Sequence, residues 1–156
     1  MIITNGNMLE SPVKIWLHQV NCKGVMGAGI AKQIRNIYPE VYSQYKADLA
    51  AHGDLMLGCF SMAETKDGKI IFSVFGQDSY GRGELFTSYP ALQNGIVASI
   101  EKYRSDHNVP EEVQIVAAIP YKIGCGLGGG DWEKVRRILE TVESVCNMQF
   151  IAYKLS

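Results

Sequence analysis

Two stretches of this 156-residue chain decide its architecture: His18-Gln19-Val20-Asn21-Cys22-Lys23-Gly24-Val25-Met26-Gly27-Ala28-Gly29-Ile30-Ala31 and Ile119-Pro120-Tyr121-Lys122-Ile123-Gly124-Cys125-Gly126-Leu127-Gly128-Gly129-Gly130-Asp131-Trp132. Each follows a β-branched run and leads into a stretch of helical period, so each reads as a strand-to-helix turn. The second carries five glycines in the seven positions 124–130. Glycines at such a turn let an anion reach backbone N–H groups at the positive end of a helix with no Cβ in the way. Ligands of open α/β sheets bind beyond the carboxyl ends of the strands, so two such turns could hold one ligand from two sides. A single glycine loop serves a tight turn or close packing equally well; it is the pair in equivalent positions that favours a ligand. Neither stretch fits a fixed phosphate motif. Lys32 stands where the dinucleotide pattern G-x-G-x-x-G needs its third glycine, and no loop ends in G-K-S or G-K-T, which disfavours nucleotide-driven phosphoryl transfer.

Outward from these turns, short β-branched runs alternate with helical spacing, the pattern of an α/β domain with helices packed on a sheet. Strands are expected over Met1–Asn5, Val13–Val20, Leu55–Ala63, Lys69–Phe75, Val113–Ile119 and Met148–Tyr153. Helical spacing at Ile30, Ile34 and Ile37 and again at Val41, Tyr45 and Leu49 is broken at Tyr38-Pro39, so two short helices are expected there. A third should span about Ser88–His107, with Gly95 its weak point, and a fourth Trp132–Cys146, capped by Asp131. The tyrosines at 38, 42, 45, 89 and 103 and Trp132 fall on helix faces and read as core packing.

With 15 basic and 16 acidic residues the formal net charge is −1, which removes the cationic coat that binding duplex nucleic acid requires and leaves room for a small polar ligand. The composition, 47% hydrophobic and 20% charged, is that of a globular domain able to bury its own core. One domain and a monomer are the expectation. The longest apolar run, Ile115–Ile119, is far short of the roughly 20 residues of a bilayer span, and Met1–Gln19 lacks a basic start followed by an apolar core; a soluble, cytoplasmic protein with no membrane partner is expected. Cysteines at 22, 59, 125 and 146 form no C-x-x-C pair and read as free thiols. Cys22, Cys125 and His18 match no zinc spacing, so neither a metal nor a cofactor is expected.

Taken together, Asn5-Gly6-Asn7-Met8-Leu9 after the first strand, Asn21 with Gly24–Ala31, and Gly124-Cys125-Gly126-Leu127 followed by Asp131-Trp132 resemble the macro domain family, in family order and over almost the whole chain. The resemblance is to the branch containing ADP-ribose 1''-phosphate phosphatases and hydrolases that remove terminal ADP-ribose from protein or DNA. It implies a mixed six-stranded sheet between helices and a cleft for ADP-ribose or a 1''-derivative. The adenine would lie near Gly6, Asn7, Met8 and Leu9. The pyrophosphate would lie between Gly27, Ala28, Gly29 and Ile30 and the segment Pro120, Ile123, Gly124, Cys125, Gly126, Leu127 and Gly128, and the distal ribose near Asn21. An oxygen of Asn7 can accept from the adenine amino group, as an aspartate does in many members, or it can bond the local turn.

The acids that carry chemistry in the better-understood branches do not carry over. Ile30-Ala31-Lys32 replaces one, Gly128 stands where another follows the Gly-Cys-Gly-Leu motif, and no lysine occurs between Lys69 and Lys102. The segment Phe75-Gly76-Gln77-Asp78-Ser79-Tyr80-Gly81-Arg82 supplies the remaining candidates. Asp78 could activate water, Gln77 hold the ribose, Tyr80 cover the ligand and Arg82 meet a phosphate; the same residues also suit a solvated turn. His18 could serve as a general acid or as a nucleophile towards a phosphate monoester, or be a hydrogen-bonded core residue. His52 and His107 lie at helix ends and read as surface residues. Two functions remain open: hydrolysis of a group on the distal ribose of ADP-ribose, free or on a modified protein or nucleic acid, and non-catalytic reading or sequestering of ADP-ribose. Binding of RNA ends or of poly-ADP-ribose is less attractive for want of a basic stripe.

Overall fold

The computed structural model describes residues 1–155. Six strands form one sheet: β1 (Ile2–Asn5), β2 (Ile15–Val20), β3 (Phe60–Glu64), β4 (Ile70–Phe75), β5 (Ile115–Pro120) and β6 (Met148–Lys154), in the order β1-β6-β5-β2-β4-β3. All neighbours are parallel except β3, which runs antiparallel to β4 along one edge. Four helices cover it: α1 (Gly29–Ile37), α2 (Pro39–His52), α3 (Tyr89–Asp106) and α4 (Trp132–Cys146).

Side-chain alternation along β2 sorts the core into two layers. Ile15 and Leu17 pack with Leu92, Ile96 and Leu139 of α3 and α4; Trp16 and Val20 face Ile34, Val41 and Tyr45 of α1 and α2. The sheet is thus sandwiched between two helical layers. Local signals set the helix ends. Pro39 opens α2 and the Asp131 carboxylate accepts from Lys134 N, as expected from the sequence; Ser88, expected as the first residue of the third helix, instead caps it, its hydroxyl accepting from Ala91 N.

Three expectations are corrected. The strand expected over Leu55–Ala63 begins only at Phe60: Gly53–Met56 is a short 3-10 helix, and Gly58, at φ 86°, takes a left-handed turn that no strand continues through. The starts expected at Val13 and Val113 move to Ile15 and Ile115. Gly95 is no weak point. A Cβ there would lie 2.5 Å from Val74 Cγ1 and 3.0 Å from Cys59 O, so its bareness lets α3 sit close on β4. A buried Arg104 fastens the far end of the molecule, donating to the carbonyls of Val113 (2.9 Å), Cys146 (2.9 Å), Asn147 (3.2 Å) and Pro110.

Candidate functional site

A cleft of about 640 Å³ opens over the carboxyl ends of β2, β4 and β5. Its walls are residues 25–31 after β2, 120–124 and 126–128 after β5, and Gln77 with Tyr80–Arg82 after β4. Both glycine turns of the sequence face each other across it. The helix α1 starts in this cleft with no side-chain cap on Ala28 and no acid in its first turn. The N–H groups of Gly29, Ile30 and Ala31 therefore have no partner one turn back, and the positive end of the helix dipole is left for whatever occupies the cleft.

The first loop is held from beneath. Asn21 donates from Nδ2 to Val25 O (2.9 Å) and accepts at Oδ1 from Lys23 N (2.9 Å). Buried Tyr45 of α2 donates to Asn21 O (2.7 Å), with Asn21 Oδ1 at 2.9 Å, and accepts from Gly24 N and Val25 N (3.1 Å each). Burial pushes the Tyr45 phenol pKa up, so it stays a neutral hydroxyl able to do both. Its ring stacks on Phe75 at 5.4 Å, and Tyr42 Oη donates to Gly24 O (3.1 Å). Asn21 lines the cleft, but its amide chiefly shapes the loop.

A second knot ties the opposite wall. Gln19 Nε2 donates to Gln77 Oε1 (2.6 Å) and Thr87 Oγ1 (2.9 Å), Thr87 Oγ1 donates to Gly124 O (2.7 Å), and Gln77 Nε2 donates to Ser79 O (2.8 Å). Phe86 N and Thr87 N both donate to Gly128 O (2.8 and 2.9 Å). A Cβ on Gly128 would stand 2.5 Å from Thr87 Oγ1, 2.7 Å from Gly124 O and 3.0 Å from Gln19 Nε2. The knot leaves no room for a side chain at position 128. Gln19 and Thr87 were not among the residues singled out from sequence. The one available signal was a glutamine next to last in the strand Ile15–Val20, whose other residues are all buried. Tyr121, Lys122, Val25, Met26 and Ala31 also line the cleft beyond expectation.

Of the expected site residues, Asn21, Gly27, Ala28, Gly29, Ile30, Gln77, Tyr80, Arg82, Pro120, Ile123, Gly124, Gly126, Leu127 and Gly128 line the cleft. Cys125 does not, and Gly6, Asn7, Met8 and Leu9 lie outside its walls. Asn7 caps the short 3-10 helix Met8–Glu10 by accepting from Leu9 N (3.0 Å), and Met8 is buried. Asp78 does not line the cleft either: its carboxylate pairs with Lys23 at 3.3 Å, both half exposed. His18 lies inside the sheet, fully buried, with Nε2 2.7 Å from Ser73 Oγ on β4 and Nδ1 without a partner. Burial lowers its pKa to about 4, which keeps it neutral at physiological pH. Burial likewise raises the Cys22 and Cys125 thiols to about 11. Arg82 and Lys122 are the two cations of the lining, which contains no carboxylate and no imidazole. Among the described residues no three His, Cys, Asp or Glu side chains converge to hold a metal.

Residues 17–139, a span containing every wall of this cleft, match the macro domain family. The chain belongs to that family. This macro domain is 26% identical over 152 residues to a DNA ADP-ribosyl glycohydrolase of Mycobacterium bovis, covering 96% of this chain and 40% of that protein. The macro domain thus spans well under half of that relative. It is 25% identical over 171 residues to an ADP-ribose 1''-phosphate phosphatase of Saccharomyces cerevisiae, covering 96% of each. Its fold matches that of Thermosipho africanus DarTG solved in complex with ADP-ribose, with a TM-score of 0.76 and 20% identity, over 97% of this macro domain and 40% of that chain. No helix among the described residues is long and apolar enough to cross a membrane.

Proposed function

We propose that the chain acts as one macro domain that binds ADP-ribose, with the pyrophosphate between the start of α1 and residues 126–128. The observation that carries this is the uncapped first turn of α1, opening into a cleft lined with no carboxylate and with Arg82 on its β4 side. Two phosphate charges complete the hydrogen bonding of that turn and complement its dipole, with no need of a basic protein surface. Asn21, Gln77 and Tyr80 mark the distal-ribose side. The adenosine leaves on the β5 side, towards Gly6–Leu9, since the short helix at Met8–Glu10 packs on β5 and β6. The ADP-ribose complex of the Thermosipho protein supports the choice of ligand.

Hydrolysis of a group on the distal ribose is a second reading, favoured by the activities for which the mycobacterial and yeast relatives are named. Within this chain Asp78 is the carboxylate nearest in sequence to a cleft wall, and Arg82 of the same loop would meet a terminal phosphate. His18, buried in the sheet, takes no part. Calorimetric titration with ADP-ribose tests binding; absence of a saturable heat overturns it. Phosphate release from ADP-ribose 1''-phosphate, or ADP-ribose release from modified protein or DNA, establishes turnover if Asp78→Asn abolishes it. Binding without any release leaves a reader or sequestering module.

A further inference from the structure

The cleft lining runs on to Tyr121 and Lys122 on the side of β5. Tyr121, directly after β5, is fixed there: its N–H donates to Tyr153 O (2.9 Å), and its ring packs edge-on to Trp132 at 5.1 Å. Two ammonium groups lie against that ring, Lys122 Nζ at 5.6 Å and Lys154 Nζ, from the end of β6, at 5.1 Å. Neither has an acidic partner among the described residues, whereas Lys23 and Lys102 do. Lys122 also holds φ 57°, a left-handed conformation that side-chain-bearing residues adopt at a cost. Two cations against one aromatic ring, neither beside an acid, are free to share an anion, which would offset their repulsion. The α1 end and Arg82 already serve the pyrophosphate and the β4 side. The charges around Tyr121 are therefore surplus to a diphosphate.

We infer that residues 121, 122 and 154 form a subsite for one further phosphate, carried as a monoester on the adenosine ribose of the ligand. This rests on the ADP-ribose reading above, since it is the adenosine that leaves the cleft on this side. The ligand class is then a nucleotide diphosphate phosphorylated on its adenosine ribose at the 2' or 3' hydroxyl. Tyr121 offers its ring to the sugar, and the two lysines offer charge-assisted hydrogen bonds to the phosphate.

The test is calorimetry on the full chain with ADP-ribose, ADP-ribose 2'-phosphate and the 3'-phosphate isomer, at low and high salt. At low salt at least one phosphorylated form should bind about tenfold more tightly than ADP-ribose, the advantage shrinking as salt screens the lysines. Lys154→Gln should reduce that advantage severalfold while leaving ADP-ribose affinity unchanged. Pairing it with Lys122→Asn, a residue that tolerates the left-handed backbone, should abolish it. Equal affinity for all three nucleotides, or an advantage that survives in the double variant, overturns the subsite and leaves ADP-ribose binding intact. If no nucleotide binds, the ADP-ribose reading fails and the subsite with it.

Discussion

Replacing Tyr45 with phenylalanine removes one oxygen and leaves the ring stacked on Phe75. Three backbone groups lose a partner: Asn21 O, Gly24 N and Val25 N. At about 1 kcal/mol for each partly buried group left unmade, the loss of folding stability is about 3 kcal/mol. For a chain of this length that lowers the thermal midpoint by roughly 6–12 °C. The loop so loosened carries the start of α1, and reordering it on binding should weaken ADP-ribose by roughly 5–30-fold, the equivalent of about 1–2 kcal/mol. Urea unfolding gives the first quantity and calorimetry the second. Tyr42→Phe, which removes a single bond to Gly24 O, is the control and should lose about a third as much stability. Stability of Tyr45→Phe within about 0.5 kcal/mol of the parent would refute the idea that this hydroxyl holds the loop.

Gly126→Ala places a methyl group where nothing lies within 4 Å, so folding should change by less than about 0.5 kcal/mol while ADP-ribose, which needs that wall, binds less well; the contrast shows in parallel unfolding and binding curves. Gly128→Ala meets Thr87, Gly124 and Gln19 at 3.0 Å or less and should destabilise by about 1–3 kcal/mol. Arg82→Gln should weaken ADP-ribose about fivefold and flatten the salt dependence of its dissociation constant, which titrations at several ionic strengths would register. His18 titrates near 6.5 when unfolded and about 4 when folded, so between those values the unfolded chain binds the extra proton. Stability is complete above pH 6.5 and falls by up to roughly 3 kcal/mol as pH drops to 4; His18→Leu should remove most of that slope in urea midpoints taken across this range.

Much of the scaffold was legible because its signals are local. Pro39 and Asp131 mark helix starts by chemistry within three or four residues of themselves, and the two glycine turns announce a cleft from their own composition. The start of β3 was not legible, because Leu55-Met56-Leu57 is apolar enough for a strand and only the left-handed backbone at Gly58 stops it. In the site, Gln19 and Thr87 escaped notice because their meeting depends on β2 lying beside β4 and on the loop before α3 folding back on residue 128. Tyr45 escaped for a related reason: a tyrosine at helical spacing reads as core, and its ring is core, but the hydroxyl reaches a loop about twenty residues earlier. The orientation of His18 was partly legible. It shares a side of β2 with Trp16 and Val20, so alternation alone turns it towards the α1 and α2 layer and not along the strand into the cleft.

The pairing of β1 with β6 sets Ile2 beside Ile151 and Asn5 beside Lys154. During synthesis the first strand made must therefore wait for the last. At translation speeds of about 5–20 residues per second, that wait is roughly 8–30 s. Throughout it Ile2 and Ile3, each 48% exposed even in the finished fold, have no strand to lie against. Of the strands that carry the cleft, β2 and β4 pair along their length, whereas β5 meets β2 over two residues and β6 over six, so the wall that β5 carries also waits for the last strand.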